Sequence, residues 1–137
     1  MIINRNHIEK ICAQIVDSAF SVHSALGPGL LERVYQFCLA HELSLRSIPY
    51  EREVSLNVKY KGLDFDSAYR LDLLVSNEVI VELKSVEKLL PVHNAQLLSY
   101  LRLMNKTVGF LINFNVPLIK DGIHRIVNRL PEQHSQH

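Results

Sequence analysis

The acids Asp72 and Glu82 and the base Lys84 lie inside two neighbouring segments, 69–75 and 79–84, that are rich in Val, Ile and Leu. A charged group is costly to bury unless it is paired or binds a metal. Charges kept inside apolar segments therefore predict a site. Two acids are suited to a divalent cation, and a lysine is suited to an anionic substrate.

The two segments predict adjacent antiparallel strands, because the polar residues 76–78 are the only break between them. If the loop takes these three residues, Asp72 faces Glu82 directly. Like charges opposed across a hairpin repel each other, and a divalent cation between them relieves this repulsion. Asp72 and Glu82 are therefore the predicted metal ligands, and Lys84 is predicted to approach an anionic substrate.

Alternation of side chains along the strands predicts one mixed face and one wholly apolar face for this hairpin. The mixed face is expected to carry Arg70, Asp72, Leu74, Ile80, Glu82 and Lys84. The apolar face is expected to carry Leu71, Leu73, Val75, Val79, Val81 and Leu83. An ion pair of Glu82 with Lys84 or Arg70 on a solvated face is the alternative. The apolar flanks of both strands favour a site.

An acid on one strand, Asp72, followed on the next strand by Glu82-Leu83-Lys84 resembles the PD-(D/E)XK nuclease superfamily. Residues 29–35 read G-x-x-E-x-x-Y and resemble the GxxExxY proteins, a small bacterial and archaeal family named after that motif. The resemblance covers about residues 8 to 128. Further blocks that resemble the family, in its order, are 22–29, 60–62, 81–84, 96–101 and 111–114.

The resemblance implies an α/β fold, a three-layer restriction-endonuclease-like core in which helices flank a mixed β-sheet. It implies metal-dependent hydrolysis of phosphodiester bonds in nucleic acid, expected to be DNA, in repair or defence. The expected cofactor is Mg²⁺ or Mn²⁺, and its implied ligands are Asp72, Glu82, the backbone carbonyl of Leu83, and Glu32. The implied catalytic residues are Glu32, Asp72, Glu82 and Lys84.

Glu32 lies in the first turn of a predicted helix over about residues 30 to 45. A carboxylate there also interacts favourably with the helix dipole, so a purely structural role is an alternative to metal binding. Tyr35 and Gln36 share its helix face, because they follow it by three and four residues. Tyr35 is expected to support the site through packing or a hydrogen bond.

Gln96 and Tyr100 lie on one face of a helix predicted from Pro91 to about Asn105, and His93 shares that face. The Q-x-x-x-Y spacing resembles an element that follows the active-site lysine in RecB-type nucleases. This likeness implies that Gln96 contacts the substrate backbone or an active-site water, with Tyr100 in support. A solvated polar face is the alternative.

The predicted order of elements is two helices, three strands, one helix and two strands. A first helix is predicted over about 6–26, and the second is expected to face inward through Leu31, Val34, Cys38 and Leu45. A helix between the strand of Glu82 and the next strand permits a parallel crossover, which predicts a mixed sheet. The strands are predicted at 51–59, 69–75, 79–84, 107–114 and 123–127.

A length of 137 residues and an apolar content of 47% predict one domain over residues 1–130, followed by a polar tail, 131–137, that is expected to be disordered. No apolar run approaches the roughly 20 residues of a membrane helix, and the first residues lack the pattern of a signal peptide. A cytoplasmic location is expected. Cys12 and Cys38 show no metal-binding spacing and are expected to be reduced thiols.

The net charge of +1 gives no support to extensive phosphate binding. Near-neutral charge and small size favour a second class of function, a non-catalytic nuclease-fold module for binding or assembly that acts as a homodimer or in a complex. The intact set of charged residues in apolar strands argues for the enzyme, because loss of catalysis would remove the reason to keep them.

Overall fold

The computed structural model describes residues 5–129, and the predicted tail and the two ends of the predicted domain lie outside this range. The helices of this range are α1 (Arg5–Leu26), α2 (Glu32–Leu45) and α3 (Pro91–Met104), with a short 3-10 helix at Ile119–Asp121. The strands are β1 (Tyr50–Tyr60), β2 (Leu63–Val75), β3 (Val79–Lys84), β4 (Val108–Asn113) and β5 (Ile123–Val127). Each predicted helix and strand is present, and β2 begins earlier than expected.

The strands form one sheet in the order β1-β2-β3-β4-β5. The β3–β4 pair is parallel and the other pairs are antiparallel. The mixed sheet is therefore confirmed, and α3 supplies the crossover that a parallel pair requires. Val75 pairs with Val79, which leaves a loop of three residues. The pairing reaches Leu73 and Val81, and Asp72 and Glu82 are the next residues beyond it.

Helices cover both faces of the sheet, which confirms the three-layer restriction-endonuclease-like architecture. On one face, α1 and α2 pack on apolar side chains of β2, β3 and β4, including Leu73, Val81 and Phe110. On the other face, α3 packs on a smaller core through Leu97 and Leu101. No helix within residues 5–129 combines the length and the apolar character needed to cross a bilayer.

The predicted face of Leu71 is wrong. Leu71 packs with Leu74 and Ile80 in the core beneath α3, whereas the alternation predicted that it would lie with Leu73 on the opposite face. The regular pairing of β2 with β3 ends at Leu73, and the N–H of Asp72 bonds to a side chain of β3 instead. Successive side chains therefore do not point strictly to alternate faces of the sheet between Leu71 and Leu74.

The predicted inward face of α2 is also wrong at two positions. Leu31 and Leu45 are 63% and 66% exposed, because Leu31 precedes the helix and Leu45 is its final residue. Val34 and Cys38 are half-buried. The buried face of the helix consists of Tyr35, Gln36, Leu39, Ala40 and Leu43.

The β1–β2 hairpin extends beyond the rest of the sheet, because regular pairing of β2 with β3 is limited to residues 73–75. Residues 54–71, here called the hairpin arm, pair only with each other. Val58 pairs with Phe65 and Tyr60 with Leu63, so these four side chains share one face of the arm. Phe65, Tyr60 and Leu63 are more than 60% exposed.

Candidate active site

Asp72 and Glu82 lie side by side where β2 and β3 separate. Glu82 Oε2 accepts a hydrogen bond of 2.8 Å from the backbone N–H of Asp72. Asp72 Oδ2 accepts a hydrogen bond of 2.8 Å from the backbone N–H of Leu83. Each carboxylate thus takes the place of a backbone carbonyl of its own strand, and the two acids are fixed next to each other.

The protein environment favours the protonated form of both acids. Burial is the main cause that raises the pKa of Glu82 to about 8, and the charge of Asp72 raises it further. Burial also raises the pKa of Asp72, although the Leu83 N–H acts in the opposite direction. Two adjacent carboxylates of this kind need a proton or a cation between them. Glu82 therefore keeps its proton to a higher pH than an exposed glutamate does, because its pKa is raised.

Lys84 ends β3 on the same face as Glu82 and is half-buried. Its positive charge lowers the pKa of both acids, which places its ammonium group within their electrostatic reach. A hydrogen bond fixes the backbone carbonyl of Lys84, because the N–H of Phe114, the residue after β4, donates to Lys84 O at 2.9 Å. The buried Asn113 side chain bonds to both backbone groups of Val86. The strand end that carries the lysine is therefore rigidly placed.

Gln36 and Glu53 belong to the site but were not predicted as functional residues. Gln36 Nε2 donates to Asp72 Oδ1 at 3.2 Å and to Glu53 Oε2 at 2.7 Å, and its Oε1 accepts from Arg52 Nη2 at 3.2 Å. A signal for Gln36 existed, because it shares a helix face with Glu32. Glu53 gave no such signal, since its direction depends on a left-handed backbone with φ of 54°.

Glu32 is the first residue of α2 and its side chain is exposed. Its charge raises the pKa of both Asp72 and Glu82, so it contributes to the same field of negative charge. Within residues 5–129, no three acid, His or Cys side chains converge closely enough to form a metal site by themselves. The assignment of Glu32 as a metal ligand stays a prediction, and so does its alternative role at the helix dipole.

The G-x-x-E-x-x-Y segment builds the entry to α2. Gly29 has a φ of 98°, which favours glycine. The buried Tyr35 hydroxyl donates to Gly27 O and accepts from Leu30 N–H at 3.1 Å, while its ring stacks on Phe114. Ser85 Oγ donates to Leu30 O, which connects this loop to the end of β3. The motif therefore fixes the start of α2 beside the strand of Lys84.

Tyr100 and Gln96 approach the acids from α3. Burial is the main cause that raises the pKa of Tyr100 to about 12, followed by the charge of Glu82. A hydrogen bond with the exposed Gln96 side chain acts in the opposite direction. Tyr100 is buried and its ring lies 5.4 Å from that of Tyr69. The His93 side chain takes part in the start of the helix, where its Nδ1 accepts a hydrogen bond from the Leu90 N–H.

The donor set fits a hard divalent cation. Asp72 and Glu82 provide carboxylate oxygens. Burial and the neighbouring acid raise the pKa of each, so a cation beside them would stabilise their ionised forms. Mg²⁺ is commonly bound by one or two carboxylates together with water and substrate phosphate, so the pair is a sufficient protein contribution. The Leu83 carbonyl stays a prediction as a further ligand.

A family model described as the PD-(D/E)XK nuclease superfamily matches residues 9–126. Among solved structures, the crystal structure of SSO0001 is similar, with a TM-score of 0.55 and 23% sequence identity. The match covers 73% of this chain and 52% of that chain, so this chain spans about half the length of SSO0001. That likeness shows a shared fold. No curated protein matches the chain.

Proposed function

Since the chain belongs to the PD-(D/E)XK nuclease superfamily, we propose that it is a metal-dependent nuclease that hydrolyses phosphodiester bonds in nucleic acid. The observation that carries this proposal is the Asp72–Glu82 pair, held by reciprocal backbone hydrogen bonds beside Lys84. Membership of the GxxExxY proteins is part of the proposal and rests on the motif at 29–35. The proposed substrate is DNA, in repair or defence, and the proposed location is the cytoplasm.

Asp72 and Glu82 would hold Mg²⁺ or Mn²⁺, with Glu32 and the Leu83 carbonyl as further ligands. The bound cation would polarise the scissile phosphate and lower the pKa of a coordinated water. Both acids must be ionised to bind it, so Glu82, whose pKa burial raises, would give up any proton that it holds. Proton release therefore accompanies metal binding.

Lys84 would stabilise the negative charge that develops on the phosphate or orient the attacking water. Its proximity to both acids supports this role, because the same ammonium group can reach a phosphate held beside them. Gln96 would contact the substrate backbone or a water, since its side chain is exposed and bonds to Tyr100, which is close enough to Glu82 to be affected by its charge. Tyr100 would support it from the buried side of α3.

Cleavage of labelled single- and double-stranded DNA and RNA, with and without Mn²⁺, tests the proposal. Lys84→Ala should reduce the rate by roughly a hundredfold or more, because an electrostatic group has been removed from the transition state. Lys10→Ala, at an exposed position of α1, is the matched control and should cleave at the wild-type rate. A folded Lys84→Ala protein as active as wild type would overturn the assignment.

A second candidate function is a non-catalytic binding or assembly module that acts as a homodimer. The exposed apolar face of the hairpin arm favours it, because contiguous apolar surface marks interaction sites. The charges of the arm's tip also balance, because residues 59–66 contain Lys59, Lys61, Asp64 and Asp66. That balance suits a second copy of the chain better than a polyanion. This candidate predicts no divalent-dependent cleavage of any nucleic acid.

A further inference from the structure

Gln36 is a buried amide whose hydrogen-bonding groups are all directed at charged side chains. It is 6% exposed and lies on the inner face of α2. The Nε2 group donates to Asp72 and Glu53, and Oε1 accepts from the Arg52 guanidinium. The orientation of the amide is thus set on both sides, with its donors toward two carboxylates and its acceptor toward a cation.

A neutral donor is the chemical group that this position requires. Asp72 Oδ1 and Glu53 Oε2 share the same Nε2 atom, so their negative charges lie close together. A carboxylate in place of the amide would repel both acids, and an apolar side chain would remove the donor to Asp72 Oδ1 and Glu53 Oε2. An amide supplies two N–H groups and adds no charge.

We infer that Gln36 is a positioning residue for Asp72, an inference that rests on the proposed metal-dependent function. The Leu83 N–H holds Oδ2 from one side and the Gln36 amide holds Oδ1 from the other, so the carboxylate cannot rotate freely. Each oxygen keeps a lone pair for a cation, because a carboxylate oxygen accepts more than one bond. Groups that orient a metal-binding carboxylate commonly change metal affinity by tenfold to a hundredfold.

The same amide connects three elements of the fold. Gln36 of α2 contacts Asp72 on β2 and Glu53 on β1, and Glu53 has a left-handed backbone that a non-glycine residue seldom adopts. Arg70 lies 3.7 Å from the other oxygen of Glu53. The unusual backbone accompanies the approach of this carboxylate to the amide, so Glu53 and the buried glutamine are both placed beside Asp72.

Calorimetric titration with Mn²⁺ tests the inference on wild type and on Gln36→Met, which keeps the length of the side chain and removes its polar groups. The expected result is Mn²⁺ binding weakened by about tenfold to a hundredfold at a temperature where the variant is fully folded. Gln14→Met is the matched control, because Gln14 also accepts a hydrogen bond from an arginine but lies on α1. It should bind Mn²⁺ with the wild-type affinity.

Binding by a folded Gln36→Met protein with the wild-type affinity would overturn the inference and leave the proposed metal site intact. If Gln36→Met fails to fold, Gln36→Asn replaces it, since the shorter amide keeps a polar group but withdraws it from Asp72, and the same loss is expected. Wild type without saturable Mn²⁺ binding would overturn the proposed metal site and this inference with it. The two failures are therefore distinguishable.

Discussion

The backbone N–H of Asp72 donates to the Glu82 carboxylate, and the N–H of the residue after Glu82 donates to the Asp72 carboxylate, both at 2.8 Å. Each acid is thereby held by the strand of the other. Replacement of either acid by alanine removes a charge and also leaves an N–H without its acceptor. Asn and Gln keep an acceptor oxygen, so Asp72→Asn and Glu82→Gln are the substitutions that isolate the effect of charge.

The stability of the metal-free protein should fall as the pH rises from 5 to 8. Glu82 has its pKa raised from 4.5 to about 8 in the folded protein, so over this interval the folded state binds a proton that the unfolded state has lost. The loss of stability over this interval should amount to a few kcal/mol, because a difference of one pKa unit corresponds to about 1 kcal/mol. Urea unfolding at several pH values measures it.

Glu82→Gln should remove this part of the pH dependence and be more stable than wild type at pH 8, because an amide does not ionise. Glu87→Gln, at an exposed position, is the control and should keep the wild-type profile. Equal profiles for wild type and Glu82→Gln would contradict the raised pKa.

Mn²⁺ affinity should rise with pH and then level off. Below a pH of about 8 the cation must displace the proton of Glu82, so the apparent affinity should increase by up to about tenfold for each pH unit between 6 and 8. Above pH 8 the acid is already ionised and the affinity should become constant. Calorimetry in buffers of different ionisation enthalpy counts the released protons, and a pH-independent affinity would refute this linkage.

Tyr35→Phe should destabilise the fold by about 1–3 kcal/mol. The hydroxyl bonds to both Gly27 O and Leu30 N–H, whereas the stacking of the ring on Phe114 is kept in the variant. Chemical unfolding gives the difference, with Tyr60→Phe as the control at a side chain that is 63% exposed. The control should change stability by less than about 0.5 kcal/mol. An equal effect of the two substitutions would exclude the proposed support role of the Tyr35 hydroxyl.

The homodimer hypothesis predicts association that increases with protein concentration and depends on the hairpin arm. Phe65→Ser should shift the protein toward monomer in sedimentation velocity experiments, because it removes apolar surface from the exposed face. Asp64→Ser, on the opposite face of the same strand because Asp64 pairs with Lys59 between the two apolar pairs, should leave the distribution unchanged. A monomeric wild type at all concentrations would reject the arm as a self-association surface.

The predictions that succeeded rest on patterns local to one hairpin or helix. Val and Ile segments around a three-residue polar break predicted the hairpin and its three-residue loop, and the structure pairs Val75 with Val79 accordingly. The course of β2 at Leu71 was not predictable in this way, because it depends on a bond between a backbone N–H and a distant side chain. Side-chain alternation assumes an uninterrupted ladder of backbone hydrogen bonds.

The same limit applies to the contribution of α2. Apolar spacing favoured Leu31 and Leu45 for burial, yet the helix buries Tyr35 and the polar Gln36 instead. A glutamine is buried at low cost only when partners satisfy its amide, and these partners come from β1 and β2. The left-handed backbone of Glu53 is likewise set by tertiary contacts.

Calorimetric titration of Mn²⁺ into wild type and into the Asp72→Asn, Glu82→Gln double variant, at pH 8, tests the metal site most directly. The proposed site predicts saturable binding by wild type and its loss in the variant. The variant keeps a side-chain oxygen to accept from each of the two backbone N–H groups but removes both charges. Binding of equal affinity by the two proteins, or no saturable binding by wild type, would contradict a metal site at the Asp72–Glu82 pair.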